Sequence, residues 1–286
     1  MLYRIVTLCL FGLVCVPEVD AQAAEEAPPV RVVLTDGSRH VGHIEREDDA
    51  EVVLRTLSGV TMTIPRAQIV RIEPAEVVRR GDAVLRADPN HTRLLFAPTA
   101  RALQSGEGYV ALYQIFLPFV AVGVSDAVAL AGGLSLLPGV SEQLVYAAPK
   151  VTPYRRGDLA VAVGAFAATI TASEGGVGGI VYAVGTKGGP SAAVSFGAGF
   201  LFGGGDFIET PILLLGGEYQ VSNNVKLLSE NYVIPAAENL AIVSGGIRFI
   251  GDRLAGDFGL FTSPEVITEG GLPFFPWLSF AYNFGG

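Results

Sequence analysis

Histidine is the side chain that ordinarily supplies a general base near neutral pH, and this chain has three, His40, His43 and His91. None lies in residues 92–286, so a Ser–His hydrolase or acyltransferase centre would lack its base there. His40 and His43 stand three apart beside Glu45 and Asp48, a set that invites a metal ion. The surrounding run alternates like a strand, however, and positions i and i+3 of a strand face opposite sides. The two imidazoles should diverge, and neither a metal nor another cofactor is expected. Gly203-Gly204-Gly205 and Glu174–Gly179 are glycine-rich, but neither leads into the Lys-Ser/Thr of a phosphate loop. They read as loops. No paired-carboxylate motif marks a glycosidase or protease, and no catalytic residue is expected.

The charges that remain interesting are few and sit inside apolar runs: Lys150, Glu209, Glu218, Lys226, Glu230, Arg248 and Asp257. If these runs are strands in a bilayer, a lipid-facing charge costs about 2–4 kcal/mol near the midplane. Most should therefore point into a lumen or lie near an interface. Lys226 and Glu230, four apart, share one face of their strand. Together with Glu218, Arg248 and Asp257 they are the candidate lumen charges, able to line a selective pore or to lock a narrow one.

The elements that must carry them follow from a change of texture near residue 91. Residues 24–91 hold 21 charged side chains in 68 positions, whereas residues 92–286 hold 23 in 195, with 31 of the 36 glycines. The second stretch is apolar and broken by polar punctuation every 10–15 residues. Helical spans need ~20 apolar residues and spanning strands ~9–11. The best helical candidates, Tyr109–Val124 and Leu159–Ala172, are short and interrupted by Pro118 or Gly164. Strands fit better, and in lipid they must close into a barrel.

Alternation is clearest in Ser191–Gly203, with Ala192, Val194, Phe196, Ala198, Phe200 and Phe202 on one face and mostly small residues on the other. Counting runs between breaks gives twelve strands: 92–99, 108–124, 127–137, 143–151, 158–171, 178–186, 191–203, 207–220, 224–234, 238–250, 253–261 and 274–284. An even number suits a bacterial single-chain barrel and leaves both of its ends on one side. The breaks at Ser125-Asp126, Ser222–Asn224 and Gly251-Asp252 then fall on the periplasmic side, and the longest, Thr262–Pro273, on the outer side.

Ahead of the barrel, Met1–Ala23 reads as a secretory signal peptide: Arg4, an apolar core at Ile5–Val16, and a small-x-small cleavage site at Ala21-Gln22-Ala23. Both cysteines, Cys9 and Cys15, lie inside it, so the mature chain should have neither a disulfide nor a thiolate. Without residues 1–23 the chain keeps 18 basic and 26 acidic residues, a net −8, and nucleic acid is a poor partner. A leader at 24–29 precedes five alternating runs in 30–74, which carry the hairpin signals Asp36-Gly37 and Ser58-Gly59. Residues 75–91 form a charged linker, with a helical turn or two expected before Pro89.

Two resemblances accompany this reading. The run VVLTDGSRHVGHIEREDDAEVVLRTLSGVTMTIPRAQIVRIEP resembles SH3-like or Sm-like folds in its length and turn spacing. That resemblance implies a small five-stranded barrel. Sm-like proteins often bind RNA, but an exported acidic copy has no obvious access to any, so the role expected here is docking to a periplasmic partner, to peptidoglycan or to the barrel's own mouth. The ending WLSFAYNFGG resembles the aromatic last strand of outer-membrane β-barrels, the feature the barrel-assembly machinery recognises. TRLLFAPTARALQSGEGYV and VKLLSENYVIP resemble segments of Gram-negative barrel proteins without an assigned activity. The expected fold class is all-β: a transmembrane antiparallel barrel of about twelve strands in 92–286, embedded in outer-membrane lipid. The expected function is a non-enzymatic passive pore for small solutes, or a structural envelope protein. The alternative is an interaction module whose barrel is only an anchor.

Overall fold

A computed structural model describes residues 27–80, 83–171, 176–235, 240–263 and 273–285. The expected signal peptide lies outside these residues. Those described are strands and connections, with one 3-10 turn at Arg66–Gln68.

The first five strands are β1 (Val30–Leu34), β2 (Arg39–Glu47), β3 (Glu51–Thr56), β4 (Thr61–Pro65) and β5 (Ile69–Pro74). Their alternation buries Val32, Leu54 and Ile64 together, with Ile44, Met62 and Ile72 packed around them. Gly37 and Gly59 take positive φ (83° and 86°) in the two hairpin turns, where an L side chain would be strained. The antiparallel order is β4-β3-β2-β1-β5. It leaves the sheet open, because no ladder joins β4 to β5 among the described residues. β6 (Val77–Arg80) and β7 (Ala83–Arg86) then pair with each other. Helical turns were the expectation for this linker. The β-branched Val77, Val78 and Val84 favour extended backbone instead.

The rest is a closed antiparallel barrel. Its strands are β8 (Gly108–Tyr113), β9 (Leu117–Gly123), β10 (Val128–Leu134), β11 (Leu144–Ala147), β12 (Lys150–Arg156), β13 (Leu159–Ile170), β14 (Gly178–Gly189) and β15 (Ala192–Gly203). They continue as β16 (Asp206–Phe207), β17 (Ile212–Gln220), β18 (Val225–Ile234), β19 (Leu240–Ile250), β20 (Leu254–Thr262) and β21 (Phe275–Phe284). β11 and β12 are two halves of one strand between β10 and β13, broken at Ala148-Pro149 because proline has no N–H for the ladder. β16 only extends the hairpin beside β15. The ring therefore has twelve staves, and β21 closes it on β8 through Phe284↔Gly108 to Ser279↔Tyr113.

The count agrees with the sequence reading, but two of the strands behind it do not. Residues 92–99 are no stave; they contribute a single isolated bridge, Arg93 to Pro98. Residues 108–124 are two staves, joined by a tight turn in which Gln114 and Ile115 both have positive φ (49° and 68°). Nothing there signals a turn, since Asn and Gly, which usually fill such positions, are absent. The Gln114 side chain stabilises it instead: Nε2 donates to Pro276 O (2.8 Å) and Oε1 accepts from Leu278 N (3.0 Å).

The outer face is apolar. Val120, Leu130, Val163, Phe196, Leu215, Phe258 and Phe280 are exposed along its height. The described barrel strands carry outward charges only toward their ends, as at Arg155, Arg156 and Lys187. The end where β8 begins is called the near end; Tyr154, Tyr219 and Tyr282 ring its outside. The linker attaches there. Arg86 Nη1 pairs with Asp252 Oδ1 (2.6 Å), and Gln220 Nε2 donates to Arg86 O (2.9 Å). Arg80 donates to Gln220 O and lies over the Tyr219 ring, 4.6 Å from its centroid.

Candidate functional site

Strand alternation turns one residue in two inward, and the inward set changes character along the axis. In the near half it is polar: Lys150, Thr152, Thr186, Ser195, Glu218, Gln220, Lys226, Glu230, Arg248, Asp257, Ser279 and Asn283 are all buried. They are not lining water. Residues 88–103 leave the linker, enter the near end and fill this half of the lumen as irregular chain, with Asp88, Asn90, Arg93, Leu94, Leu95, Thr99 and Ala100 buried.

Arg248 is the centre of the arrangement and fully buried. Its Nε and Nη2 hold both oxygens of Asp257 (2.7 and 3.1 Å), a bidentate pair between neighbouring staves. Its Nη1 reaches Asp88 Oδ2 (3.0 Å) and Asn90 O (2.7 Å), and its Nη2 reaches Leu94 O (2.7 Å). Asp257 Oδ2 also accepts from Arg93 Nη1 (2.6 Å) and from the Ser279 hydroxyl (2.9 Å). Lys226 donates to Asp88 Oδ2 (2.7 Å) and Pro190 O (2.9 Å), with Glu218 Oε2 3.7 Å away. Glu218 in turn accepts from Arg101. Opposite charges alternate through one connected lattice, as burial of so many ions requires.

Other side chains grip the backbone of the inserted segment. Glu230 Oε2 accepts from the amides of Phe96 (2.9 Å) and Ala97 (3.0 Å). Lys150 donates to the carbonyls of Thr92 (3.3 Å), Thr99 (3.0 Å) and Arg101 (2.7 Å). Thr186 Oγ1 accepts from Ala100 N (2.9 Å), and Asn90 Nδ2 donates to Asn283 Oδ1 (3.0 Å). Sheet ladders are absent here, so barrel side chains satisfy these backbone groups instead. Glycines make the room: a Cβ on Gly216 would come 2.1 Å from Leu94 Cδ1, and one on Gly259 2.8 Å from Leu95 Cδ1.

All five candidate lumen charges, Glu218, Lys226, Glu230, Arg248 and Asp257, are thus inward and buried. Glu209 lies between β16 and β17 and belongs to no such lattice. Sequence reasoning missed the partners Asp88, Arg93 and Arg101. Arg93 and Arg101 lie in irregular chain, where strand parity assigns them no face. His43 is buried with its Nδ1 donating to Ala27 O (2.7 Å), while His40 is half-exposed.

The far half of the lumen is different. Its inward residues are apolar or aromatic, among them Tyr113, Phe119, Phe166, Ile180, Leu201, Leu214 and Ile242. They enclose a cavity of about 480 Å³ floored by Phe96, Ala97 and Pro98 of the inserted segment.

The sequence matches no protein-family profile and no curated protein. Among solved structures, it is similar to a KdgM porin in complex with disordered oligogalacturonate at 6% identity, covering 63% of this chain and 98% of that one, with a TM-score of 0.48. The NanC porin gives 7% identity, coverage of 62% and 97%, and 0.40. Omp33 of Acinetobacter baumannii gives 10%, 62% and 96%, and 0.36. At these values the likeness carries no inference about what this chain does.

Proposed function

We propose that this chain is a non-enzymatic outer-membrane β-barrel protein whose resting lumen is shut at the periplasmic end by its own residues 88–103. The apolar outer face, the closure of every ladder and the tyrosine ring at the near end suit a bilayer. The short near-end turns and the presence of both barrel termini there suit a periplasmic near end. On this reading the five-stranded sheet is an SH3/Sm-like unit in the periplasm, and the aromatic β21 is the strand presented to the assembly machinery. The observation that carries the proposal is the lattice of Asp88, Lys226, Arg248 and Asp257, which joins the inserted segment to three staves. A passive pore for polar solutes needs water where that lattice lies.

Planar-bilayer recording of the full folded chain tests the closure. No steady conductance is expected from the wild-type protein, and transient openings are expected from D88N and K226Q, which loosen the lattice without removing bulk. Stable open channels from the unaltered chain would sink the closed reading and restore the passive pore.

A second reading, in which the small sheet is the working part and the barrel an anchor, draws on the free edges of β4 and β5. An unpaired strand edge can accept a partner's strand. Deleting residues 30–74 and comparing pull-down of periplasmic proteins and peptidoglycan would test it: unchanged recovery ends that reading.

A further inference from the structure

The far-half cavity has no part in the closure. Its chemistry is unlike that of a water-filled barrel interior, which is polar. We infer that this cavity is a binding site for a single alkyl chain, inserted tail first from the far end.

Three observations carry the inference. The first is size and shape: about 480 Å³ lies within the ~300–1,000 Å³ range of small-molecule sites. Along β14 the lining runs from Ile180 to Val184, roughly 13 Å of strand, so the space is elongated with the tilted staves. The second is the wall chemistry. The lining joins the aromatic Tyr113, Phe119 and Phe166 to the aliphatic Ile180, Leu201 and Leu214, and β15 adds only Gly197 and Gly199 beside Leu201 and Ala198. The third is the floor. The charged groups nearest it are largely engaged: Lys150 gives its donors to three carbonyls, and Arg93 gives Nη1 to Asp257 and Nη2 to the Ser279 hydroxyl, which leaves only its Nε without a partner. Glu230 is satisfied by two amides and by the Tyr232 hydroxyl (2.6 Å). A ligand's inner end therefore meets a single N–H without a partner and no uncompensated charge, since Arg93 is paired with Asp257. A carboxylate, phosphate or sugar there would be desolvated without compensation, whereas a methylene chain only trades water for packing. The polar head of an amphiphile is left at the mouth.

The chain could belong to a free amphiphile in solution or to the acyl tail of a bilayer lipid, and one reporter separates the two. Trp277 is the only tryptophan, and its ring lies 5.6 Å from Phe96 and 5.8 Å from Tyr113, both of which line the cavity. Bromine in the cavity should quench it by contact. The full chain is placed in detergent-free nanodiscs and titrated with 12-bromododecanoic acid; a parallel set is built from phospholipid brominated along its tails. The expected result is saturable quenching by the free acid that dodecanoic acid reverses, and that weakens at least tenfold in Ala131→Phe, which fills the cavity. Quenching by brominated bilayers that Ala131→Phe removes also supports the site and assigns the chain to membrane lipid. Should Ala131→Phe fail to fold, Leu214→Asn alters another lining residue and serves the same comparison. Absent quenching, or quenching that neither variant changes, overturns the inference. The inference goes beyond the closure proposed above, and its failure is separate: conductance reads the near-half lattice and leaves Trp277 quenching untouched.

Discussion

At the scale of single residues, the lumen shows how a buried charge is tolerated only in company. Asp257 serves Arg248, Arg93 and Ser279 at once. Asp257→Asn removes the compensating charge from two buried guanidiniums, and breaking such a pair typically costs about 3–5 kcal/mol. We expect a loss of that order, read as the midpoint of denaturant unfolding from lipid vesicles. The turn at Gln114-Ile115 offers the opposite sign. A β-branched residue at φ 68° is strained, and Ile115 is exposed, so its side chain contributes little packing. Ile115→Gly should stabilise the barrel by up to about 1 kcal/mol in the same assay, the gain being limited by the extra freedom of glycine in the unfolded chain. The inward charges of β17–β20 were legible in the sequence because lipid penalises them on the other face. Their partners were not, since Asp88, Arg93 and Arg101 sit in chain without periodicity, and parity arguments need a strand to act on.

At the scale of elements, the staves were readable wherever alternation ran for nine or more residues, as in β15, β18 and β21. The reading failed where turn chemistry was unusual or where apolar sequence was not a strand. The run at 92–99 has the composition of a stave, but its hydrophobic residues are absorbed by lumen glycines: Leu94 against Gly216, Leu95 against Gly246 and Gly259. Composition reports only that a segment avoids water; it does not say whether lipid or protein does the covering. Substitution distinguishes the cases. If the proposed bilayer placement holds, Phe196→Arg should cost about 2–4 kcal/mol of stability in vesicles, because that side chain is exposed in mid-strand on the apolar outer face of β15. Gly216→Leu should instead displace Leu94 and loosen the inserted segment, which faster cleavage of residues 88–103 by a protease added at the near end would reveal.

For the molecule as a whole, polar and apolar halves of one lumen divide the work. The near half holds chain, and the far half holds space. That division arises from side chains on the same staves: β18 places Lys226 and Glu230 toward one end and Ile234 toward the other. A closed twelve-stranded barrel should keep its compact mobility on an unboiled gel and slow on boiling; equal migration of the two samples would argue against closure. The β6–β7 linker, held to the rim by Arg80, Arg86 and Gln220, should remain attached when the lumen lattice is weakened, because those bonds are independent of it.

The position of the inserted segment also constrains the order of assembly. It immediately precedes β8, and it touches the strand made last: Asn90 bonds Asn283, and Arg93 bonds Ser279 (3.2 Å). Those contacts span 193 and 186 residues of chain, separations that slow folding. The ring closes when β21 meets β8, and by then residues 88–103 must already be within the curl of the sheet, since threading them into a finished cylinder would mean desolvating every ion singly. Filling and closure are one step. A circular permutant carrying this segment after β21 should therefore insert into membranes with an empty, leaky lumen, even though it contains every residue of the original.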